Sequence, residues 1–170
     1  LLVRGLHVGD RFFARNWDDP FSAADGNHRA AFLDWAAAQG YNLLSVASHH
    51  LNRHVAGRGE GWDTPRLWPP DPAEFRRLEA MLDDLAARGF FVYPFAGFFG
   101  RDSNFPRDPA DQALHLRHTL ARLAPYAHVL LNVAGPEPLL RGKPYLPADD
   151  VNRLGAEIAR LDPFRTPLSV

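Results

Sequence analysis

Residues 71–95 read DPAEFRRLEAMLDDLAARGFFVYPF, a stretch that contains the signals of a helix followed directly by a strand. Asp71, the proline after it and a glutamate at the third following position form a helix-start pattern, and apolar residues then recur at helical spacing. Gly89 predicts where the helix ends, because glycine is common just past a helix C-terminus. The apolar run 90–95 predicts a buried strand.

The same alternation of helix and strand extends in both directions from this unit. Caps and periodic apolar residues predict three further helices, over residues 27–39, from Asp108-Pro109 through Leu123, and from Asp149 or Asp150 through Leu161. Short runs predict four further strands, over residues 11–15, 41–47, 129–133 and from 168 onward. Such alternation is typical of an α/β fold with a parallel sheet and right-handed crossovers.

Two architectures accommodate this alternation. A doubly wound sheet of five strands would be complete at this length, whereas a (β/α)8 barrel needs about 250 residues, so that the chain would supply its first part. Neither periodicity nor length chooses between them. The chain has no Gly-x-Gly-x-x-Gly or phosphate-loop motif, which counts against a doubly wound nucleotide-binding domain.

Composition and charge exclude several classes of protein. Hydrophobic residues make up 46% and charged residues 23% of the chain, which is typical of a globular domain. The formal net charge of -1 predicts no nucleic-acid partner, and no apolar run is long enough to predict a membrane partner. The absence of cysteine excludes disulfides and thiolate metal sites but leaves the compartment, cytoplasmic or secreted, open. No signal peptide is visible, and because the chain begins at Leu1 we expect the natural N-terminus to lie upstream.

Polar and aromatic residues concentrate in the segments that follow the predicted strands. In both architectures the functional site lies at the carboxyl ends of the strands. The candidate substrate-binding residues in these segments are Trp17, His49, Asn52, Trp62 and Arg101. An indole ring can stack on a sugar, but it can equally pin a loop to the fold, and both interpretations stay open for Trp17, Trp62 and Trp68.

One glutamate is a candidate general acid. Three of the other glutamates fall on predicted helices, and Glu60 lies in a glycine-rich stretch. Glu137 instead follows the fourth predicted strand and is flanked by prolines, which restrict the backbone and fix the direction of the side chain. Apolar surroundings would raise its pKa toward that of a general acid. The alternative is a salt bridge between Glu137 and Arg101 or Arg141.

The histidines do not predict a metal site. His49 and His50 are adjacent, so on a strand they point to opposite faces, and no His-x-His or His-Glu-x-x-His spacing is present. We therefore predict no metal and no cofactor, and expect whichever of the two faces the site to hydrogen-bond a hydroxylated ligand. Structural roles are predicted for the helix-associated residues His28, Trp35, His115, His118 and His128.

Three segments carry a resemblance to a known group of enzymes. Gly40-Tyr-Asn, the segment from Pro94 to Gly100 and the segment from Asn132 to Pro138 resemble the first half of a clan A glycoside hydrolase. These enzymes are (β/α)8 barrels of the cellulase and β-galactosidase type, and the chain is most similar to their apiosidase-like and cellulase-like relatives.

The resemblance implies roles for several residues. Glu137, after the fourth strand, would be the general acid/base, and Asn132 would correspond to the asparagine that binds the sugar 2-hydroxyl, although it lies five positions upstream instead of adjacent. Arg15, His49 and Asn52 are candidates for the polar groups near the ends of the first two strands. The nucleophile would be a glutamate after the seventh strand, beyond residue 170.

With this resemblance, the predicted fold class is α/β, with parallel β/α repeats that form a partial TIM barrel of about five of eight strands. Residues 1–170 would be a single N-terminal portion of that barrel, with the C-terminal part outside the chain. The predicted function is retaining hydrolysis of a glycosidic bond in a carbohydrate substrate, with the isolated chain inactive. Two alternatives stay open: a non-catalytic carbohydrate-binding barrel, and a metal-dependent sugar isomerase or hydrolase that uses His49 or His50 with Glu137.

Overall fold

A computed structural model describes residues 2–8, 26–46, 68–94, 106, 108–133 and 147–169, and of residues 26–28 and 74 it describes the backbone alone. Within these ranges helices and strands alternate. The strands are β1 (Gly5–Val8), β2 (Leu43–Val46), β3 (Phe91–Pro94), β4 (Leu131–Asn132) and β5 (Leu168–Ser169). The helices are α1 (Gly26–Ala38), α2 (Pro72–Ala87), α3 (Pro109–Leu123) and α4 (Ala148–Leu161).

The described strands are parallel and follow one another in chain order. β1, β2 and β3 form a three-stranded sheet, and β4 pairs with β5 in a two-stranded sheet. A parallel bridge between Val92 and Val129 joins the two, because Val92 N–H donates to the His128 carbonyl at 2.9 Å and Leu130 N–H donates to the Val92 carbonyl at 2.8 Å. The predicted parallel α/β fold is therefore confirmed. A doubly wound sheet reverses its strand order at a switch point, and the described strands show no such reversal.

The position beside β2 is occupied by a different segment from the one predicted. Residues 11–15 were the expected first strand, but Gly5–Val8 pairs with β2 in register from Gly5 opposite Leu43 to Val8 opposite Val46. The sequence signal was weak because β1 is only four residues long and only Val8 is buried in it. Residues 11–15 lie outside the described ranges.

The predicted cap residues match the structure for the starts of α2 and α3 but not for one other helix. Asp71 Oδ1 accepts a hydrogen bond from Ala73 N–H at 2.8 Å, and Asp108 caps α3 in the same way. Gly40 and Gly89 follow α1 and α2 with φ of 79° and 74°, a region that glycine adopts without steric cost. The exception is α4, whose start was predicted at Asp149 or Asp150.

The predicted cap of α4 was wrong. The helix begins at Ala148 with Pro147 in the cap position, and it has no side-chain cap hydrogen bond. Asp149 and Asp150 instead lie in the first turn, where negative charge is favourable because of the helix dipole.

The apolar core lies between one face of the sheet and the helices. In β2 and β3 alternate residues are buried, such as Leu44 and Val46 in β2 and Val92 in β3. They belong to a single apolar cluster with residues of all four helices, among them Leu33, Leu82, Leu116 and Leu154. We call this side of the sheet the helix face. Ion pairs brace the helices around it: Arg29 with Asp84 and Arg88 with Asp34 between α1 and α2, and Arg122 with Glu79 between α2 and α3.

No helix within the described ranges is long and apolar enough to cross a membrane.

Candidate functional site

The sheet face opposite the helices carries polar residues at the carboxyl side of the strands. His7, Ser45 and Tyr93 lie side by side in the register of β1, β2 and β3. Because successive residues of a strand point to opposite faces, these three lie on the side away from the buried Leu44 and Val92. We call this side the opposite face.

Hydrogen bonds join the polar residues of neighbouring strands. His7 Nδ1 and Ser45 Oγ lie 3.0 Å apart, which links β1 to β2. Asn132 Nδ2 donates to Tyr93 Oη at 3.2 Å, which links β4 to β3, and Ser169 Oγ of β5 lies 3.2 Å from the same phenol oxygen. His7, Ser45, Tyr93, Asn132 and Ser169 thus form a polar row that takes one residue from each described strand.

Exposure changes along the polar row. Asn132 is 1% exposed, whereas Ser45, Tyr93 and Ser169 are half-buried and His7 is exposed. Asn132 is therefore the buried member of the row, and its carboxamide is hydrogen-bonded to the Tyr93 hydroxyl. Hydroxyl, imidazole and carboxamide groups can each donate and accept hydrogen bonds, as recognition of a ligand with many hydroxyl groups requires.

The opposite face is apolar closer to the amino ends of the strands. Two residues before Ser45 and Tyr93, Leu43 is half-buried and Phe91 is 37% exposed. Leu130, two residues before Asn132, is half-buried as well. The polar row is consequently the part of this face nearest to the segments that leave the carboxyl ends of the strands.

Of the residues predicted for the site, only Asn132 lies within the described ranges. It is the last residue of β4, and its contact with Tyr93 places it on the opposite face. Glu137, Trp17, His49, Asn52, Trp62 and Arg101 lie outside the described ranges, as do His50 and Arg15. Their roles, and the contact of Asn132 with substrate, stay predictions.

The histidines on helix-associated segments have the predicted structural roles where their side chains are described. His115 is completely buried, and the His118 ring packs edge-on against Phe75 with centroids 4.8 Å apart. His128 Nε2 lies 3.1 Å from the Leu82 carbonyl oxygen. Burial lowers the pKa of both His118 and His128. The side chain of His28 lies outside the described part of the chain.

Two of the tryptophans, Trp35 and Trp68, lie within the described ranges. Trp35 packs against Phe32 and Tyr41, with centroid distances of 5.7 and 6.3 Å, and is 49% exposed on α1, in agreement with the predicted packing role. Trp68 packs edge-on against His115 of α3 at 6.1 Å, which favours the pinning interpretation for this residue.

The described part of the chain contains no group of three or more acidic, histidine or cysteine residues arranged to hold a metal ion. His49, His50 and Glu137, the residues of the metal-dependent alternative, are not in that part, so the alternative is not tested by the structure.

Of the five residues in the polar row, Asn132 alone was predicted from the sequence as a site residue. Ser45 and Tyr93 sit inside runs that read as continuously apolar, and His7 and Ser169 lie in strands too short to show a pattern. The available signal was the period-two alternation of Leu44-Ser45-Val46, in which a single hydroxyl marks the face that the helices do not cover.

Comparison with known proteins assigns the chain to no family. No protein-family model matches the chain, and no curated protein matches it. Among solved structures, the chain is similar to a D-psicose 3-epimerase crystallised in the presence of D-fructose, at 12% sequence identity and a TM-score of 0.43. The match covers 95% of this chain and 50% of that one, so the chain spans about half the length of the epimerase. At this level of similarity the epimerase's activity does not transfer to the chain, and the resemblance to clan A hydrolases stays a prediction.

Proposed function

We propose that the chain forms the first five strands of a (β/α)8 barrel and that the complete barrel is a retaining glycoside hydrolase. The strand order supports the first part, because strands that follow one another in chain order, each reached by a crossover on the same face, continue naturally into a closed barrel. The polar row supports the second part, because it provides hydrogen-bonding groups at the carboxyl ends of the strands, where barrel enzymes bind substrate.

The observation that carries the proposal is the position of Asn132. It ends β4 on the opposite face, in contact with Tyr93. Glu137 follows Asn132 by five residues in the sequence, and we propose that it lies near the polar row. A carboxyl group at this place is suited to protonate a glycosidic oxygen.

In the proposed mechanism Glu137 works twice. As an acid, it gives its proton to the leaving-group oxygen while a carboxylate about 5–5.5 Å away attacks the anomeric carbon and forms a glycosyl-enzyme ester. As a base, it then takes a proton from the water that hydrolyses this ester, which releases the sugar with its original anomeric configuration and restores both carboxyl groups. We place the attacking carboxylate outside residues 1–170, so this chain alone would not hydrolyse glycosides.

The proposal is tested by Glu137→Gln in the protein expressed from its full reading frame. We expect turnover of glycosides with poor leaving groups to fall by about 10²–10⁴-fold, because general acid catalysis contributes about that much. Glycosides with good leaving groups should lose less in the first step, and added azide should restore turnover by attacking the glycosyl-enzyme in place of activated water.

The matched control is Glu157→Gln, which removes the same charge from the exposed ion pair of α4 with Arg160. This variant should keep wild-type kinetics. Glycoside turnover that survives Glu137→Gln unchanged would refute the role of Glu137, and a wild-type protein that cleaves no glycoside in a panel of sugars and linkages would refute the proposed function.

One observation favours a second candidate, a carbohydrate-binding barrel without catalysis. The polar row itself contains hydroxyl, imidazole and carboxamide groups and no carboxylate. Such a protein would bind oligosaccharides without cleaving them, and Glu137→Gln would leave the affinity nearly unchanged.

A further inference from the structure

Two neighbouring aromatic rings lie at the surface of α1, away from the polar row. Trp35 of α1 packs against Tyr41, which follows the helix, with ring centroids 6.3 Å apart and an angle of 33° between the rings. Trp35 is 49% exposed and Tyr41 is half-buried. Because Tyr41 precedes β2 by two residues, the two rings lie near the amino end of that strand, whereas the polar row lies at the carboxyl side.

The neighbours of Trp35 on the exposed side of α1 are short. Ala31 and Ala38, four residues before and three residues after Trp35, are both exposed and have no side-chain atom beyond Cβ. The charged neighbour Asp34 is paired with Arg88 of α2. The indole therefore extends beyond the helix surface around it, and its exposed part is open to a ligand.

A guanidinium group is held beside these rings. Arg4 Cζ lies 5.2 Å from the centroid of the Tyr41 ring, and Arg4 Nη1 donates to the Gln39 carbonyl at 2.9 Å. Gly40 leaves room for this contact, because a Cβ atom there would lie 3.0 Å from Nη1. A guanidinium has five N–H groups, of which Gln39 uses one. Since Arg4 is exposed, its other N–H groups can donate to a ligand.

The size and charge of this surface favour a sugar over other ligands. About half of one indole is open, which corresponds to about 100 Å². A stable protein interface buries about 800 Å² on each partner. A cationic ligand would be repelled by Arg4. A neutral sugar has an apolar C–H face that can stack on an indole and hydroxyl groups that accept hydrogen bonds from a guanidinium.

We propose that Trp35, Tyr41 and Arg4 form a carbohydrate-binding site, which we call the α1 site, separate from the polar row. Trp35 stacks on the apolar face of one sugar unit of a polysaccharide, and Arg4, placed by Tyr41 and Gln39, donates to its hydroxyl groups. The inference does not rest on the proposed hydrolysis, because a polysaccharide can be held at this surface without being cleaved.

The test is affinity gel electrophoresis of the protein expressed from its full reading frame, in gels that contain soluble xylan, mixed-linkage β-glucan, glucomannan or starch. We expect at least one of these polysaccharides to retard the wild type. Trp35→Ala should raise the Kd for that polysaccharide about tenfold or more, because it removes about 100 Å² of apolar contact. Arg4→Gln keeps both rings and should raise the Kd by about two- to tenfold, because it removes the charged donor.

Phe164→Ala is the matched control. Phe164 is 66% exposed and lies in the connection between α4 and β5, so this substitution also removes an exposed aromatic ring. It should leave the Kd at the wild-type value. Equal losses for Phe164→Ala and Trp35→Ala would overturn the inference, because they would show that exposed rings in general adhere to the polysaccharide.

Further outcomes would also overturn the inference. One is a wild type that none of the four polysaccharides retards, and another is unchanged retardation of Trp35→Ala. If Trp35→Ala does not fold, Arg4→Gln decides, and wild-type retardation of that variant would contradict the α1 site. A wild-type dimer that Trp35→Ala converts to monomers, without retardation in any gel, would show a contact between copies of the chain instead.

The results are distinguishable from those for the proposed function. Trp35→Ala should leave kcat and KM for a short glycoside unchanged, and a loss of kcat would contradict a site separate from the polar row. If Glu137→Gln loses its turnover and no polysaccharide retards the wild type, the α1 site is wrong and the proposed function stands. If the wild type is retarded through Trp35 but cleaves no glycoside, the α1 site stands and the proposed function is wrong.

Discussion

Adjacent residues of the same strand have opposite environments on the two faces of the sheet. On the helix face, Leu44 and Val92 are almost completely buried in the cluster formed with the helices. One residue further along, Ser45 and Tyr93 lie on the opposite face, where their hydroxyl groups bond to residues of neighbouring strands. Stability and proposed function are thus carried by alternate positions, and substitutions at neighbouring residues should separate the two.

The largest effect on stability is expected at Leu44. Leu44→Ala removes a completely buried side chain and should lower the free energy of unfolding by about 2–5 kcal/mol, measured by urea denaturation. Its neighbour Ser45→Ala loses the hydrogen bond with His7 at a half-buried site and should cost at most about 1 kcal/mol. Equal losses at the two positions would mean that the faces do not differ in the way described.

A smaller effect is expected from the ion pair between α1 and α2. Arg29 is 6% exposed and pairs with Asp84, so Arg29→Ala leaves a partly buried carboxylate without this partner and should cost about 1–3 kcal/mol. Arg160→Ala, which breaks the exposed pair with Glu157, should leave the urea midpoint unchanged because surface pairs contribute little. A larger shift for Arg160→Ala than for Arg29→Ala would contradict the packing of α1 on α2.

The smallest expected effect is a pH dependence of the free energy of unfolding, which comes from His118 and His128 on the helix side of the sheet. Burial lowers the pKa of His128 below its ordinary value of 6.5, against the opposing influence of the hydrogen bond with Leu82 and the charge of Asp83. Burial and Arg122 lower the pKa of His118, against the charge of Glu79. A histidine whose pKa is lower in the folded state binds protons more readily when unfolded. Above about pH 6.5 these histidines therefore do not reduce the free energy of unfolding. The free energy of unfolding falls as the pH decreases from there to their pKa in the folded state.

Urea titrations at several pH values check this dependence. The double variant His118→Gln/His128→Gln should lose less stability between pH 7 and pH 5 than the wild type does. Parallel profiles for the two proteins would show that these histidines do not titrate with folding.

The bounds of several helices could be predicted because the residues that start and end a helix act on residues close to them in the chain. Asp71 and Asp108 start helices, and Gly40 and Gly89 end them, through contacts with residues close in the chain. The register of β1 could not be predicted, since Gly5–Val8 is recognisable as a strand only by its pairing with β2. α4 shows the limit of cap signals, because it begins after Pro147 without a side-chain cap although two aspartates follow.

The candidate site could be predicted only in part. Asn132 was found because the segment from Asn132 to Pro138 resembles clan A hydrolases. Tyr93 and Ser169 were not found, because their contact joins residues that are far apart in sequence and is created by the order of the strands. A polar residue inside an apolar run indicates a second face, but only the register shows which polar residues meet there.

The most direct test of the central claim is a crystal structure of full-length Glu137→Gln with a glycoside that the wild type cleaves. We predict the sugar at the carboxyl ends of β3 and β4, next to Tyr93 and Asn132. The glycosidic oxygen should lie about 2.6–3.2 Å from the side chain at position 137, the distance that proton transfer requires. A sugar bound only on the helix side of the sheet, or held beyond the reach of position 137, would contradict the account.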